Sequence, residues 1–121
     1  MNPAVHLTCQ HTEGDLALVA VTGELTHTTA PLTRAQALDL IAQGHRHLIL
    51  DMGQVTFCDS AGFSALVGIW RCAQEADGSL VLAAAPDRLV RMLHLTGLDE
   101  LLHNHPTPHD ALAAHAARHG G

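Results

Sequence analysis

Three consecutive aliphatic residues near the middle of the chain, Leu48-Ile49-Leu50, constrain its fold more than any other feature. An unbroken apolar run of this length suits a central strand that is covered on both faces, as in parallel sheets. On either side of the run, strand-like segments alternate with segments whose apolar residues have helical spacing. This alternation predicts an α/β domain in which helices pack on a sheet.

The predicted elements follow one another as strand, strand, helix, strand, helix, strand, helix. A parallel pair of strands requires a crossover connection, and such connections are right-handed. We therefore expect a mixed, mostly parallel sheet of four to five strands behind an antiparallel first strand. The approximate limits are strands at 5–9, 16–22, 47–51 and 79–84, helices at 31–44, 61–75 and 86–97, and a short, weakly packed helix at 111–117.

A chain of 121 residues with 47% hydrophobic residues fits a single domain, 1–121, better than two. The packed part is expected at about 5–105, followed by a His-rich segment at about 103–121. The first helix carries apolar Ala35, Leu38, Ile41 and Ala42, and the second carries Phe63, Leu66, Val67 and Trp70.

Charge and hydropathy exclude several classes of partner. The six basic residues are all arginine and face twelve acidic ones, so no basic stripe is present to neutralise nucleic acid or anionic lipid. The apolar runs fall short of the ~20 residues that cross a bilayer, and the N-terminus does not resemble a signal peptide. A cytoplasmic protein without nucleic-acid or membrane partners is expected.

Neither the cysteines nor the histidines form a defined metal or disulfide pattern. Cys9, Cys58 and Cys72 contain no Cys-x-x-Cys pair and are expected to be buried free thiols. Among the eleven histidines, His103, His105 and His109 are spaced to gather around a divalent metal. No cysteine or carboxylate completes that set, so a flexible polar segment is favoured and no cofactor is expected.

Catalysis is not expected. A hydrolase would use Ser60 or Ser64 as its nucleophile, but the second glycine of a nucleophile elbow is missing. The chain also contains no lysine, which removes Walker-type nucleotide chemistry.

Ser60 stands at the predicted N-cap of the second helix, and two interpretations are open. Its hydroxyl can cap the helix by accepting the N–H of Gly62 or Phe63. Alternatively it can accept a phosphate, because a helix N-terminus has unpaired N–H groups and a partial positive charge. Gly62 weakens the first helical turn, which indicates either close approach of a partner or phosphate, or tight contact with a neighbouring strand. The helical spacing of Phe63 favours the core, and Trp70 is expected to be the more exposed of the two aromatic residues.

The region from Leu48 to Phe63 resembles the STAS domain family, which is named from sulfate transporters and anti-sigma-factor antagonists. The family pattern is a buried strand ending in Asp, a turn with Val-x-Phe, and Asp-Ser-x-Gly at the start of a helix. Two other segments also match this family, and the resemblance covers roughly residues 5–105. These segments are Gly23-Glu24-Leu25 with Thr29-Ala30, and Leu93-His94-Leu95-Thr96-Gly97-Leu98.

The resemblance implies an anti-sigma-factor antagonist that takes part in partner switching during a stress response. In such proteins the serine after Asp accepts a phosphate from a partner that is both anti-sigma factor and serine kinase, and a protein phosphatase removes it. That serine is Ser60 here. The implied partner-binding residues are Thr26, His27, Asp59, Ser60, Ala61, Gly62 and Phe63.

Two alternatives stay open within the resemblance. One is a STAS scaffold subunit of a stress-signalling or lipid-transport complex without a phosphorylation cycle, and the other is binding of a nucleotide near the helix start. One departure concerns Thr26, because antagonists of this family usually carry Asp at the position after Gly-x-Leu. This difference is expected to affect the choice of partner or the rate of phosphorylation.

Overall fold

The computed structural model describes residues 5–119, and within them five strands and four α-helices form one α/β unit. A short 3₁₀ helix at Leu98–Glu100 follows the third α-helix. The elements are β1 Val5–Glu13, β2 Leu16–Leu25, α1 Ala30–Ala42, β3 His47–Cys58, α2 Ser60–Glu75, β4 Ser79–Ala83, α3 Asp87–Thr96, β5 Asn104–His105 and α4 Pro108–His119.

The sheet has the strand order β1-β2-β3-β4-β5. β1 and β2 form an antiparallel hairpin around Gly14, and β3, β4 and β5 each run parallel to the strand before them. The predicted fold class is confirmed, including the antiparallel first strand. Because all parallel strands point the same way, their carboxyl ends meet at one edge of the sheet.

The apolar residues of the sheet separate into two layers. On one face, α1, α2 and α3 cover a large cluster that includes Leu50, Met52, Leu66 and Leu82, each fully buried. On the other face a smaller cluster is formed by Leu16, Leu18, Ile49, Ala83 and Ala111, and here α4 supplies the cover. Leu48–Leu50 therefore is buried from both sides, as its sequence predicts.

Helix ends agree with the local sequence. Pro31 lies in the first turn of α1, where its missing N–H is tolerated, and α1 ends two residues before Gly44, which has φ 107°. Gly97 ends α3 with φ 75°, a left-handed conformation that glycine adopts without strain.

Two sequence-based expectations are corrected. β3 continues past Gly53 to Cys58, because its second half pairs with β2 as far as Leu25. The buried side of α1 is formed by Thr33 and Ala37, whereas the predicted Ala35 and Ala42 are exposed.

The His-rich segment is not a loose tail. Asn104–His105 pairs with β4 as a short edge strand, and α4 buries Ala111 against the sheet. Thr107 caps this helix, since the backbone N–H of Asp110 donates to the Thr107 hydroxyl at 3.0 Å.

Candidate functional site

The ends of β2 and β3 bring two short segments together. Leu25 and Cys58, the last residues of these strands, lie opposite each other in the parallel register. The turn 26–29 follows the first strand, and Asp59 and Ser60 follow the second. The topology thus places Thr26 and His27 beside the start of α2, although 32 residues separate His27 from Asp59.

Asp59, and not Ser60, is the N-cap of α2. Its backbone is extended, with φ −95° and ψ −174°, and its Oδ1 accepts the backbone N–H of Gly62 at 2.9 Å. Oδ2 accepts the backbone N–H of His27 at 3.1 Å. The predicted cap position is therefore wrong by one residue, because Asp59 has two carboxylate oxygens and satisfies the helix and the turn together.

The carboxylate of Asp59 is held in its ionised form by these contacts. The hydrogen bond from Gly62 contributes most to lowering the pKa of Asp59; desolvation opposes it, and the weaker contribution of the bond from His27 lowers the pKa further. The imidazole Nδ1 of His27 is 3.9 Å from Oδ2 and is otherwise exposed. A fixed negative charge thus stands directly before Ser60.

Ser60 is the first residue of α2 and is exposed. Within residues 5–119, its hydroxyl has no hydrogen-bond partner, because Asp59 performs the capping that was considered for Ser60. The hydroxyl is therefore accessible to a modifying enzyme, and a phosphate added there would lie at the positive end of the helix.

Gly62 and Phe63 lie beneath this surface. A β-carbon on Gly62 would be 2.3 Å from the carbonyl oxygen of Leu25, so the glycine is required by close packing of α2 against the end of β2. This finding selects the neighbouring-strand interpretation of Gly62. Phe63 is 9% exposed and belongs to the core, as its spacing predicts, while Trp70 is half-buried. Gly62 and Phe63 thus support the site from the core side and expose little surface to a partner.

Thr26 begins a tight turn that leads into α1. The Thr26 hydroxyl accepts the N–H of Thr28 at 3.3 Å, and the hydroxyl of buried Thr29 donates to the carbonyl of Glu24 at 2.8 Å. An aspartate at position 26 would make the same kind of local hydrogen bond with its carboxylate. Thr26 thus retains the turn and lacks only the negative charge.

The cysteines and histidines do not form a metal site in the described part of the chain, where no group of three or more suitable ligands is found. Cys58 is buried and Cys72 half-buried, but Cys9 is exposed, contrary to expectation. Burial, assisted by the nearby Asp59 charge, raises the pKa of the Cys58 thiol to about 11.

Sequence analysis missed Arg34 and gave Ser64 no binding role. Both line an open groove of about 340 Å³ between α1 and α2, next to the site. The signal available in the sequence was that Arg34 is the only basic residue of α1. The packing of α1 against α2 that brings the two residues together is a tertiary feature.

Comparison with known proteins identifies the family. The family model described as STAS domain matches residues 7–111. The chain belongs to the STAS domain family. This STAS domain is 29% identical over 98 residues to the anti-sigma-B factor antagonist of Bacillus subtilis, an alignment that covers 81% of this chain and 88% of the relative.

Solved structures agree with that assignment. An anti-sigma factor antagonist from Mycobacterium paratuberculosis is 28% identical, with a TM-score of 0.79 over 92% of this chain and 93% of its own. SpoIIAA, a Bacillus cell fate determinant solved in its phosphorylated form, shares the fold at 19% identity, with a TM-score of 0.73 over 90% of this chain and 98% of its own. No helix in the described range of this STAS domain has the length and apolar character needed to cross a membrane.

Proposed function

We propose that this STAS domain is a cytoplasmic anti-sigma-factor antagonist whose binding is ended by phosphorylation of Ser60. The unmodified chain binds an anti-sigma factor that is also a serine kinase, and thereby frees a sigma factor for transcription. The kinase then modifies Ser60, and a protein phosphatase restores the first state. The chain acts as a binding protein and kinase substrate, with no catalytic role of its own.

The observation that carries this proposal is that Asp59 makes the hydrogen bonds at the start of α2, whereas the hydroxyl of Ser60 makes none in the described structure. The Asp59 carboxylate caps the helix and ties down the turn at His27, and this leaves the Ser60 hydroxyl exposed and unbonded in the described structure. Because Asp59 provides the cap of α2, modification of Ser60 does not alter the hydrogen bond that starts the helix. The relatives from Bacillus subtilis and Mycobacterium paratuberculosis are anti-sigma factor antagonists, which supports the same role.

The expected effect of the phosphate is on binding and not on folding. It adds a charge of about −1.5 to −2 next to the ionised Asp59, on a surface that a partner must cover. The partial positive charge at the start of α2 offsets part of this repulsion while the domain is free. SpoIIAA has this fold in a phosphorylated form, which supports retention of the fold here. Since about 1.4 kcal/mol changes affinity tenfold, a penalty of a few kcal/mol releases the partner.

The proposed binding surface consists of Thr26, His27, Asp59, Ser60 and Ala61 at the exposed edge. Gly62 and Phe63 support it from below. Because Thr26 replaces the Asp usual in the family, this edge has one negative charge fewer. We therefore expect a partner whose surface matches the lower negative charge.

The test is intact-mass analysis after incubation with ATP and each anti-sigma-factor kinase of the same genome. We expect one phosphate on the wild-type chain, none on Ser60→Ala, and one on the control Ser79→Ala, which changes a serine at the start of β4, outside the site. Binding of the same kinase should be retained by Ser60→Ala and lost in Ser60→Asp. If Ser60→Ala still gains the phosphate, or if no kinase modifies the wild type, the switch is wrong. The scaffold alternative would then be preferred.

A further inference from the structure

An open groove lies beside Ser60, between α1 and α2. Ser64 contributes to it and is four residues after Ser60, one helical turn along, so the groove opens on the same face of α2 as the phosphoacceptor. Its volume is about 340 Å³. Ala30, Pro31 and Ala65 form the apolar part of the lining. Its polar part consists of His27, Arg34 and Ser64.

Arg34 supplies the only formal charge in this lining. A β-carbon placed on Gly68 would be 3.6 Å from Nε and 3.7 Å from Cζ of Arg34, so the guanidinium lies along the surface of α2. The side chain is thereby placed across the groove between the two helices. A planar guanidinium with five N–H donors is suited to bind a carboxylate through two parallel hydrogen bonds.

Two other arginines make side-chain contacts of a kind that Arg34 lacks. Arg46 donates to the Asp15 carboxylate at 2.9 Å, and Arg88 lies over the ring of Phe57 at 5.6 Å. For Arg34 no carboxylate of residues 5–119 is within ion-pairing distance, and its guanidinium donates no hydrogen bond to them. The positive charge is thus unused by the fold, and it lies in a groove that is also lined by His27 and Ala61 of the proposed binding surface.

We propose that the groove between α1 and α2 receives an aspartate or glutamate side chain of the anti-sigma partner, which pairs with Arg34. This inference rests on the function proposed above and names the chemistry of one contact in that complex. It also names the contact that phosphorylation would weaken. A phosphate on Ser60 would place a second anion on the face that receives the partner's carboxylate, and like charges at an interface weaken binding.

The experiment measures binding of purified variants to the anti-sigma-factor kinase by isothermal titration calorimetry, without ATP. Replacing Arg34 by Gln should weaken binding about tenfold, and Arg34→Glu about a hundredfold, because the second change adds repulsion. The control is Arg91→Glu, which makes the same change in net charge at an exposed position of α3. It should remain within about threefold of wild type, since it is outside the groove. Circular dichroism and thermal unfolding of each variant separate lost binding from lost folding.

A charge exchange then identifies the partner residue. Surface carboxylates of the kinase are replaced by arginine one at a time and tested against the Arg34→Glu chain. One such replacement should restore at least tenfold in affinity. The inference is overturned if Arg34→Glu binds like wild type, if Arg91→Glu is equally weak, or if no replacement restores binding. In those cases phosphorylation of Ser60 still stands as the function; if the wild-type chain binds none of the kinases, both are refuted.

Discussion

Adding one methyl group at Gly62 or at Gly68 should have opposite effects on stability, although both glycines lie in α2. At Gly62 the new β-carbon would be 2.3 Å from the Leu25 carbonyl oxygen, whereas at Gly68 the nearest atom would be 3.6 Å away. A carbon and a carbonyl oxygen normally stay about 3.3 Å apart, so α2 would have to move about 1 Å away from β2. The contact at Gly68 is an ordinary one.

The size of the effect follows from what this movement disrupts. The Leu25 carbonyl accepts the backbone N–H of Asp59 at 3.0 Å, and a shift of about 1 Å makes that hydrogen bond ineffective. Overpacking destabilises by about 1–3 kcal/mol and a lost backbone hydrogen bond by about 1 kcal/mol. Alanine returns about 1 kcal/mol of helix propensity at either position. Gly62→Ala should therefore lower the free energy of unfolding by about 2 kcal/mol, while Gly68→Ala should raise it by about 1 kcal/mol.

Urea unfolding followed by circular dichroism measures this difference. With a slope of about 1.5 kcal/mol per M, the midpoints of the two variants should differ by about 2 M, on opposite sides of wild type. The shift of α2 also displaces Ser60, so Gly62→Ala should be phosphorylated more slowly. If Gly62→Ala unfolds within about 0.3 M of Gly68→Ala, the reasoning from close approach is refuted.

Two further predictions follow from ionisable groups. The pKa of Asp59 is lowered below its ordinary value of 3.8, so the stability it provides is present above that pH and is lost as pH falls through the folded-state value. The urea midpoint of wild type should therefore fall more steeply below about pH 4 than that of Asp59→Asn, and equal slopes would contradict this. The raised pKa of Cys58, about 11, leaves roughly a thousandth of its thiol ionised at pH 8. Iodoacetamide should label exposed Cys9 first, and Cys58 only after unfolding; early labelling of Cys58, located by peptide mapping, would be the contrary result.

Local rules predicted the elements whose signals lie within a few residues. The apolar run Leu48–Leu50, Pro31 at a helix start and Gly97 at a helix end all appear as expected. The second half of β3 was missed because Gly53 and its polar neighbours resemble a turn, and only pairing with β2 makes them a strand. The C-terminal region was misread for a related reason. Histidine and proline are common in loose segments, and the contact that orders α4 is with the distant sheet.

The sequence predicted which residues lie at the start of α2, but not the hydrogen bonds that they make. Ser60 and Asp59 are adjacent in the sequence, and the motif placed both at the start of a helix. Which of them caps the helix depends on the second oxygen of Asp59, and that oxygen is bound by His27 from another strand end. Arg34 could not be related to the site from the sequence, because the groove that it lines with His27 and Ala61 depends on how α1 packs against α2.

The hairpin that opens the fold determines where fusions to this protein can be made without interference. Val5 pairs with Gly23, two residues before the end of β2, so the first described residue lies at the edge of the sheet that carries Ser60. The far part of α4 lies at the opposite edge, where the ring of His115 is 5.1 Å from that of His47 at the start of β3 and tilted by 57° to it. An affinity tag or fluorescent protein joined before Val5 would thus compete with a partner for space. A fusion after α4 leaves that face open, and a binding assay should be built on it.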